Sequence, residues 1–266
     1  MESAAADSLL LSPTTADSGT RRSSRAGLKT AREPAREVPV RHETEVLVVG
    51  GGPAGVAAAV AAARNGAATT LIERYNHLGG MATGGLVILL PHLSAGGTEQ
   101  EIAGICDEMV ERLDARGGAR HPQRRDLGSD DPQLLARLKH YHDFVVDGRV
   151  RMTVIVDPEA LKCVLLDMVE EAGVKLYLHS WAAAALTDAE EGRVRGVAFE
   201  SKSGRQAILS QVTIDATGDG DVFASAGAEF DGVVDPGLRS ASLAVVWRMG
   251  DVDFGRFSEF RHSEPE

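Results

Sequence analysis

The chain has 266 residues, 43% hydrophobic and 25% charged, the balance of a globular protein with one or two domains and a real core. With 28 Lys and Arg against 39 Asp and Glu its net charge is -11, which argues against a general nucleic-acid binder, whose affinity rests on neutralising phosphates. Two cysteines far apart, Cys106 and Cys163, exclude a CxxC redox pair, a cysteine-rich zinc site and a disulfide scaffold, and no apolar run approaches the ~20 residues of a membrane span.

Residues 1–41 are rich in Ser, Thr, Ala, Pro and Arg, and Leu9-Leu10-Leu11 is their only apolar cluster. Seven basic and five acidic residues give this stretch +2 and leave -13 for the remainder. No apolar period offsets the entropy of ordering, so the stretch reads as a disordered tail. The pair Arg21-Arg22 invites a twin-arginine export reading, but no apolar region follows Lys29. Sparse cysteine use points to a reducing compartment, and a cytoplasmic location is expected.

Glu45-Val46-Leu47-Val48-Val49 reads as a buried parallel strand. Gly50-Gly51-Gly52-Pro53-Ala54-Gly55, a GxGxxG, follows directly. Val56 to Asn65 is nearly all Ala and Val, a good helix with Gly66 as its C-terminal stop. Thr69 to Ile72 is a second strand and ends in Glu73. In this order each part has a task. Gly50 permits the tight turn, Gly52 lets backbone approach a pyrophosphate, and Gly55 lets the helix pack close to the strand. The helix N-terminus offers N–H groups and a positive dipole end to phosphate. Glu73, ~20 residues past the glycines, stands where a carboxylate accepts hydrogen bonds from ribose hydroxyls. A strand-end residue contributes little packing, so replacing Glu73 is expected to affect a ribose and scarcely the fold. The bland alternative is a salt bridge from Glu73 to Arg74 or Arg64.

The glycine-dense loop His77 to Gly85 comes next. Thr98 to Gly117 carries Ile102, Ile105, Cys106, Met109, Val110 and Leu113 at helical spacing. Arg116 to Pro132 is polar and reads as a surface loop, and Gln133 to Val146 as a helix leading into a strand. Asp157-Pro158 opens a helix whose apolar face is Leu161, Val164, Leu165, Met168 and Val169, and Gly173 to Leu176 reads as a strand. From Trp181 to Leu209 short strands alternate with turns at Glu191-Gly192 and Ser203-Gly204, an antiparallel meander. A strand rises through Ile214, Gly218 turns the chain, and Asp219 and Asp221 would open a helix through Val222 to Ala226.

These motifs resemble the FAD-dependent oxidoreductases, the glutathione-reductase-like flavoproteins that open with GGGPAG, continue with an ER acid site and a GGMAT loop, and close the nucleotide domain with IDATGDGD. The likeness covers roughly residues 43 to 254 and includes Ser240 to Met249, similar to the strand where the family's substrate domain begins. It implies an α/β fold: a Rossmann-like FAD-binding domain over 42–235, with a helical insertion at about 88–150 and the meander at about 181–209, then the start of a substrate domain over 236–266. It implies FAD rather than NAD, because a Gly-Gly after the ribose acid lets backbone lie along the flavin nucleotide. The implied cofactor-binding positions are Gly50, Gly52, Pro53, Ala54, Gly55, Glu73, Arg74, Gly79, Gly80, Met81, Ala183, Ala216, Thr217, Gly218 and Asp219, with Ala182 to Ala184 passing near the adenine end. It implies two-electron transfer from a small-molecule substrate to an acceptor, neither of which the motifs name. No Cys pair follows Gly79-Gly80, which excludes the disulfide reductases of this fold.

No residue stands out as the catalytic acid or base. His77 and His92 lie in or after the glycine loop and read as polar surface residues. His140 and His142 flank Tyr141 at a spacing that sends them to different faces of a helix, which disfavours a metal site. Cys106 and Cys163 read as buried structural thiols, and Arg248 as a partner in a surface salt bridge. Family members continue to a closing GD-type motif. This chain ends at Glu266 after the polar run 258–266, so it reads as a truncated member, and a non-catalytic module that binds FAD or another nucleotide is the alternative.

Overall fold

The computed structural model describes residues 29, 35–188, 190–230 and 245–263. Nearly all of the expected N-terminal tail, and the first half of the strand expected at Ser240 to Met249, lie outside these residues. In chain order the elements are β1 (Val40–Val49), α1 (Pro53–Arg64), β2 (Thr69–Ile72), β3 (Leu89–Leu90), α2 (Ile105–Ala115), β4 (Ala119–Arg120), α3 (Pro132–Leu138), β5 (Val145–Val146), β6 (Arg149–Val150), β7 (Val154–Val156), α4 (Pro158–Glu171), β8 (Lys175–Tyr177), β9 (Trp181–Asp188), β10 (Arg193–Ser201), β11 (Gly204–Asp215), α5 (Asp221–Ser225) and α6 (Phe254–Ser263). The chain divides into two compact units, residues 1–78 with 166–242 and residues 79–165 with 243–266.

The first unit is built on a six-stranded sheet of order β8-β2-β1-β11-β10-β9. The strands β8, β2, β1 and β11 are parallel to their neighbours, and β10 and β9 continue the sheet antiparallel. β2 and the end of β1 are buried on both faces, which is why they are continuously apolar or β-branched. Leu47, Val49, Ile72, Val197, Phe199, Ile208 and Val222 form one buried cluster. The expected meander is present as β9, β10 and β11, but its third strand is also a member of the parallel sheet. One edge of β11 pairs with β10 through Gly204 to Leu209, and the other pairs with β1 through Ala207 to Asp215.

β1 begins earlier than the apolar run Glu45–Val49. Val40 already pairs with Ala207, and the Pro39 carbonyl accepts the Ala207 N–H at 2.9 Å. The long partner strand extends the pairing into a stretch whose own sequence is polar, so β1 starts inside the expected tail.

Thr70 is fully buried in β2, and its hydroxyl has no hydrogen-bond partner among the described residues. A buried hydroxyl without a partner costs about 1–3 kcal/mol relative to an apolar group of the same shape. Thr70→Val is therefore expected to stabilise the protein by about 1 kcal/mol and to raise Tm by about 2–4 °C. A lowered Tm in a thermal melt would show that the hydroxyl has a partner.

The second unit is less helical than the insertion its sequence suggests. It holds a three-stranded sheet β3-β7-β4 and a hairpin of β5 and β6 beside α2, α3 and the first half of α4. α2 starts at Ile105 rather than Thr98, because Gly104 adopts a φ of +71° that no helix continues. Asp131 and Asp157, each followed by Pro, cap α3 and α4. The Asp131 Oδ1 accepts the Gln133 N–H at 2.7 Å, and the Asp157 Oδ1 accepts the Glu159 N–H at 2.8 Å. α3 ends at Leu138, so His140 and Tyr141 lie in a turn and not on a helix. Residues 245–250 lie in no strand among the described residues, so the described half of the expected substrate-domain strand is absent, and residues 258–263 of the polar run belong to α6.

Candidate functional site

Gly50 follows the last residue of β1 with φ +102°, and its N–H donates to the Ile72 carbonyl at 2.9 Å. A Cβ at Gly50 would collide with the Ala216 carbonyl oxygen, and one at Gly55 would collide with the Gly50 carbonyl oxygen. Backbone fills the space where those side chains would go, so these two glycines are required by the fold. Gly52 differs. It is the N-cap of α1 in extended conformation, φ -67° and ψ 180°, and a Cβ there would meet nothing within 4 Å. Nothing inside the chain requires glycine at 52, and its open side lies at the start of α1. Pro53 and Ala54 are exposed in that first turn. The Val56 N–H is the first to bond back along the helix, to the Gly52 carbonyl at 2.9 Å. The earlier N–H groups of a helix have no partner within it, and the dipole makes that end positive. This open, positively polarised N-terminus beside a side-chain-free backbone fits the pyrophosphate of a dinucleotide.

Glu73 is 5% exposed and is not the lightly packed strand-end residue its position suggests. Its Oε2 accepts the Gly51 N–H at 2.6 Å and its Oε1 accepts the Tyr75 N–H at 2.7 Å. Its backbone is held too, by the Tyr177 carbonyl at 2.8 Å and the Ser180 N–H at 2.9 Å. The carboxylate thus ties the glycine loop to the end of β2. Arg74 takes a different role from the salt bridge considered above: its guanidinium lies over the rings of Tyr75, at 4.9 Å, and Trp181, at 5.4 Å.

Arg74, Ala183 and Asp219, three expected cofactor positions distant in sequence, line one open cleft of about 770 Å³. Trp181, Ala182, Glu200, Arg205 and Asp221 complete its lining, and Arg205 donates to Glu200 at 3.2 Å. Of these, Ala182 was expected near the adenine end and Asp221 at the start of a helix, whereas Trp181, Glu200 and Arg205 were not expected here. Trp181 was legible in the sequence, since an aromatic residue two positions before Ala183 stands at the same end of the strand.

The turn after β11 holds Ala216, Thr217 and Gly218. The Ala216 N–H donates to the Val49 carbonyl at 2.8 Å, which places the turn against Gly50. Gly218 turns the chain at φ +84° and is exposed. Asp221 opens the following helix as expected, and Asp219 lies just before it, but neither side chain caps it. That role falls to Asp215, which the sequence reading passed over. Its Oδ1 accepts the Thr217 N–H at 3.1 Å and hydroxyl at 2.7 Å, and its Oδ2 accepts the Val222 and Phe223 N–H groups at 3.0 Å each. Burial pushes the Asp215 carboxyl up, but the backbone N–H of Phe223, the Thr217 hydroxyl and the other N–H groups outweigh it and hold the group below its usual value. A carboxyl lowered on folding stabilises the fold at neutral pH, and that contribution is lost as pH falls through the folded value.

Gly79, Gly80 and Met81 belong to the second unit. Gly79 has φ +100°, and a Cβ there would collide with the Thr83 side chain. A short 3-10 turn runs over Gly80–Ala82, and Met81 is 66% exposed on it. The Val87 N–H bonds to the Met81 carbonyl at 2.9 Å, closing the loop on itself.

The remaining candidates stay outside these arrangements. The His77 ring stacks on Tyr75 with centroids 5.9 Å apart, and His92 is exposed with its N–H on the Thr153 hydroxyl at 3.2 Å. His142 is exposed and pairs with Asp143 at 3.1 Å. Among the described residues no group of three or more His, Cys, Asp or Glu side chains could hold a metal ion. Cys106 is half-buried, and burial, helped by Asp107, pushes its thiol up, away from nucleophilic use. Cys163 is exposed, not buried as its helical position suggested. Arg248 makes the expected surface salt bridge, to Glu159 at 3.4 Å. No helix among the described residues is long and apolar enough to cross a membrane.

No curated protein matches the chain. Among solved structures it is similar to THI4 from Thermovibrio ammonificans, at 19% identity over 69% of this chain and 61% of that one, TM-score 0.45. It is also similar to 3-ketosteroid-delta4-(5alpha)-dehydrogenase from Rhodococcus jostii RHA1, at 20% identity over 66% and 46%, TM-score 0.43. A third is a geranylgeranyl bacteriochlorophyll reductase-like protein from Thermoplasma acidophilum, at 19% identity over 66% and 39%, TM-score 0.41. The chain thus spans 61% or less of the length of these three structures. Residues 45–256 match the sequence model described as FAD dependent oxidoreductase. That match takes in the glycine loop, Glu73, the Gly79-Gly80 loop and the turn after β11, so the chain belongs to the FAD-dependent oxidoreductase family, and FAD is its cofactor.

Proposed function

We propose that this chain binds FAD through its first unit and serves two-electron oxidation or reduction of a small-molecule substrate, with a separate electron acceptor. The observation that carries the reading is the contrast among the three loop glycines. Gly50 and Gly55 are demanded by neighbouring backbone, whereas Gly52 faces open space at the start of α1. A glycine the fold does not need, at a helix N-terminus, suits close approach of a phosphate group. In this reading the α1 N-terminus holds the pyrophosphate and Glu73 serves the adenosine ribose, giving up a backbone bond to do so. Arg74, Trp181 and Ala183 take the adenine end, and Ala216 to Asp219 border the nucleotide from the other side. The bound flavin supplies the electron-transfer chemistry, and the protein supplies binding and orientation. Both cysteines are free thiols, which supports a cytoplasmic setting.

The purified protein, mixed with FAD and passed through a desalting column, should retain a visible absorbance band near ~450 nm from the cofactor's chromophore. A colourless protein that also gives no heat with FAD or ADP in calorimetric titration would overturn the reading.

A further inference from the structure

The hydrogen bonds of Asp215 reach beyond the strand that carries it. Asp215 ends β11 in register with Val49, the last residue of β1. One carboxylate oxygen holds Thr217 by its N–H and its hydroxyl, and that hydroxyl accepts the Asp221 N–H at 3.0 Å. The other oxygen holds the N–H groups of Val222 and Phe223. Gly220, the N-cap of α5, has no side chain to cap with, so Asp215 caps α5 from across the turn. Two parts of the candidate site rest on this arrangement. The Ala216 carbonyl closes the space beside Gly50, and a shift of that carbonyl would free the glycine loop to move. On the far side, the Ser225 hydroxyl of α5 accepts the Ala185 N–H of β9 at 2.8 Å, two residues from Ala183 in the cleft.

We infer that Asp215 is a positioning residue for the dinucleotide, setting the Ala216 to Gly220 turn so that the glycine loop and the cleft hold one ligand together. The inference rests on the FAD-binding reading above. Asp215 touches no ligand in this role. It acts through Ala216 on the loop and through α5 on the cleft. Asparagine retains one acceptor oxygen, but its NH2 then faces either the Val222 and Phe223 donors or the Thr217 N–H.

The test is calorimetric titration of ADP into parent, Asp215→Asn and Val169→Ala proteins, each shown folded by circular dichroism well below its melting transition. Val169 is fully buried on α4 and outside the cluster that holds Val222, so Val169→Ala lowers stability without touching the mechanism. Asp215→Asn should weaken ADP binding by at least about tenfold, the scale of one lost charge-assisted bond network, while Val169→Ala keeps the parent affinity. Equal affinity in parent and Asp215→Asn overturns the inference and leaves FAD binding standing. Equal weakening in Val169→Ala and Asp215→Asn also overturns it, since general destabilisation would then account for both. If the parent itself binds neither ADP nor FAD, the proposed function falls and takes this inference with it. Should Asp215→Asn fail to fold, Thr217→Val, which removes the hydroxyl that links Asp215 to the Asp221 N–H, gives the reading. Weaker ADP binding supports the inference, and parent affinity overturns it.

Discussion

Gly52→Val should leave the Tm of the cofactor-free protein within a few degrees of the parent and remove measurable FAD binding. The valine side chain enters open space, so no protein atom is displaced, and φ -67° with ψ 180° is ordinary for a β-branched residue. What it occupies is the approach to the first turn of α1, where a phosphate must come within hydrogen-bond reach of backbone. Gly55→Val is the matching control with the opposite outcome. There the new side chain meets the Gly50 carbonyl, α1 is forced off the sheet, and overpacking of this kind costs about 1–3 kcal/mol or more. Soluble yield and melting curves read the second variant, and retained absorbance near ~450 nm reads the first. If Gly52→Val copurifies with as much FAD as the parent, the pyrophosphate lies elsewhere.

Glu73→Gln should lower both stability and FAD affinity. The carboxylate is buried and accepts two backbone N–H groups, one on each oxygen. Glutamine offers one acceptor and sets an NH2 against the other donor. A buried group left unsatisfied costs about 1–3 kcal/mol, enough to move Tm by several degrees. Loosening Gly51 and weakening a ribose contact together should reduce FAD affinity by on the order of 10- to 100-fold. Melts of the FAD-stripped protein and calorimetric titration separate the two effects. A pure ribose ligand would change affinity and leave the melt unmoved. A purely structural latch would lower the melt and leave the affinity of the folded fraction unchanged.

The glycine loop was readable in sequence because its constraint is local. Backbone that must turn within a few residues and admit a close neighbour leaves glycine as the only choice, and strand, loop, helix and strand follow within thirty residues or so. The β-meander was readable by its turn residues. The fixed setting of Glu73 was not, because the backbone that holds it, at Tyr177 and Ser180, arrives from the end of β8 and the residue before β9. The early start of β1 was hidden for a similar reason: its polar first half is held by β11, not by its own pattern. Asp215 was overlooked because its partners at 222 and 223 lie beyond a glycine turn, outside the spacing at which a cap is sought. The helix expected from Thr98 failed at Gly104, where a positive φ overrides an apolar period. The cleft was half legible. Arg74, Ala183 and Asp219 came from motif positions, while Glu200 and Arg205 sit on strands whose pairing alone brings them there.

The central place of β1, between β2 and β11, bears on the order in which the chain acquires structure as it is made. β2 follows within a short helix and can pair with β1 at once. The other edge stays bare until β11 emerges, because Val49 pairs with Asp215, about 165 residues later. At ordinary rates of translation that is ~10–30 s. During that interval the residues of the second unit at 79–165 are already out, and the Gly50 turn has no Ala216 carbonyl to rest against. A sheet completed by so distant a strand folds slowly for the same reason, since a long loop must close before its contacts stabilise it. The glycine loop is finished only once β11 has been made, and an unpaired apolar strand edge is exposed to chaperones and to neighbouring chains until then.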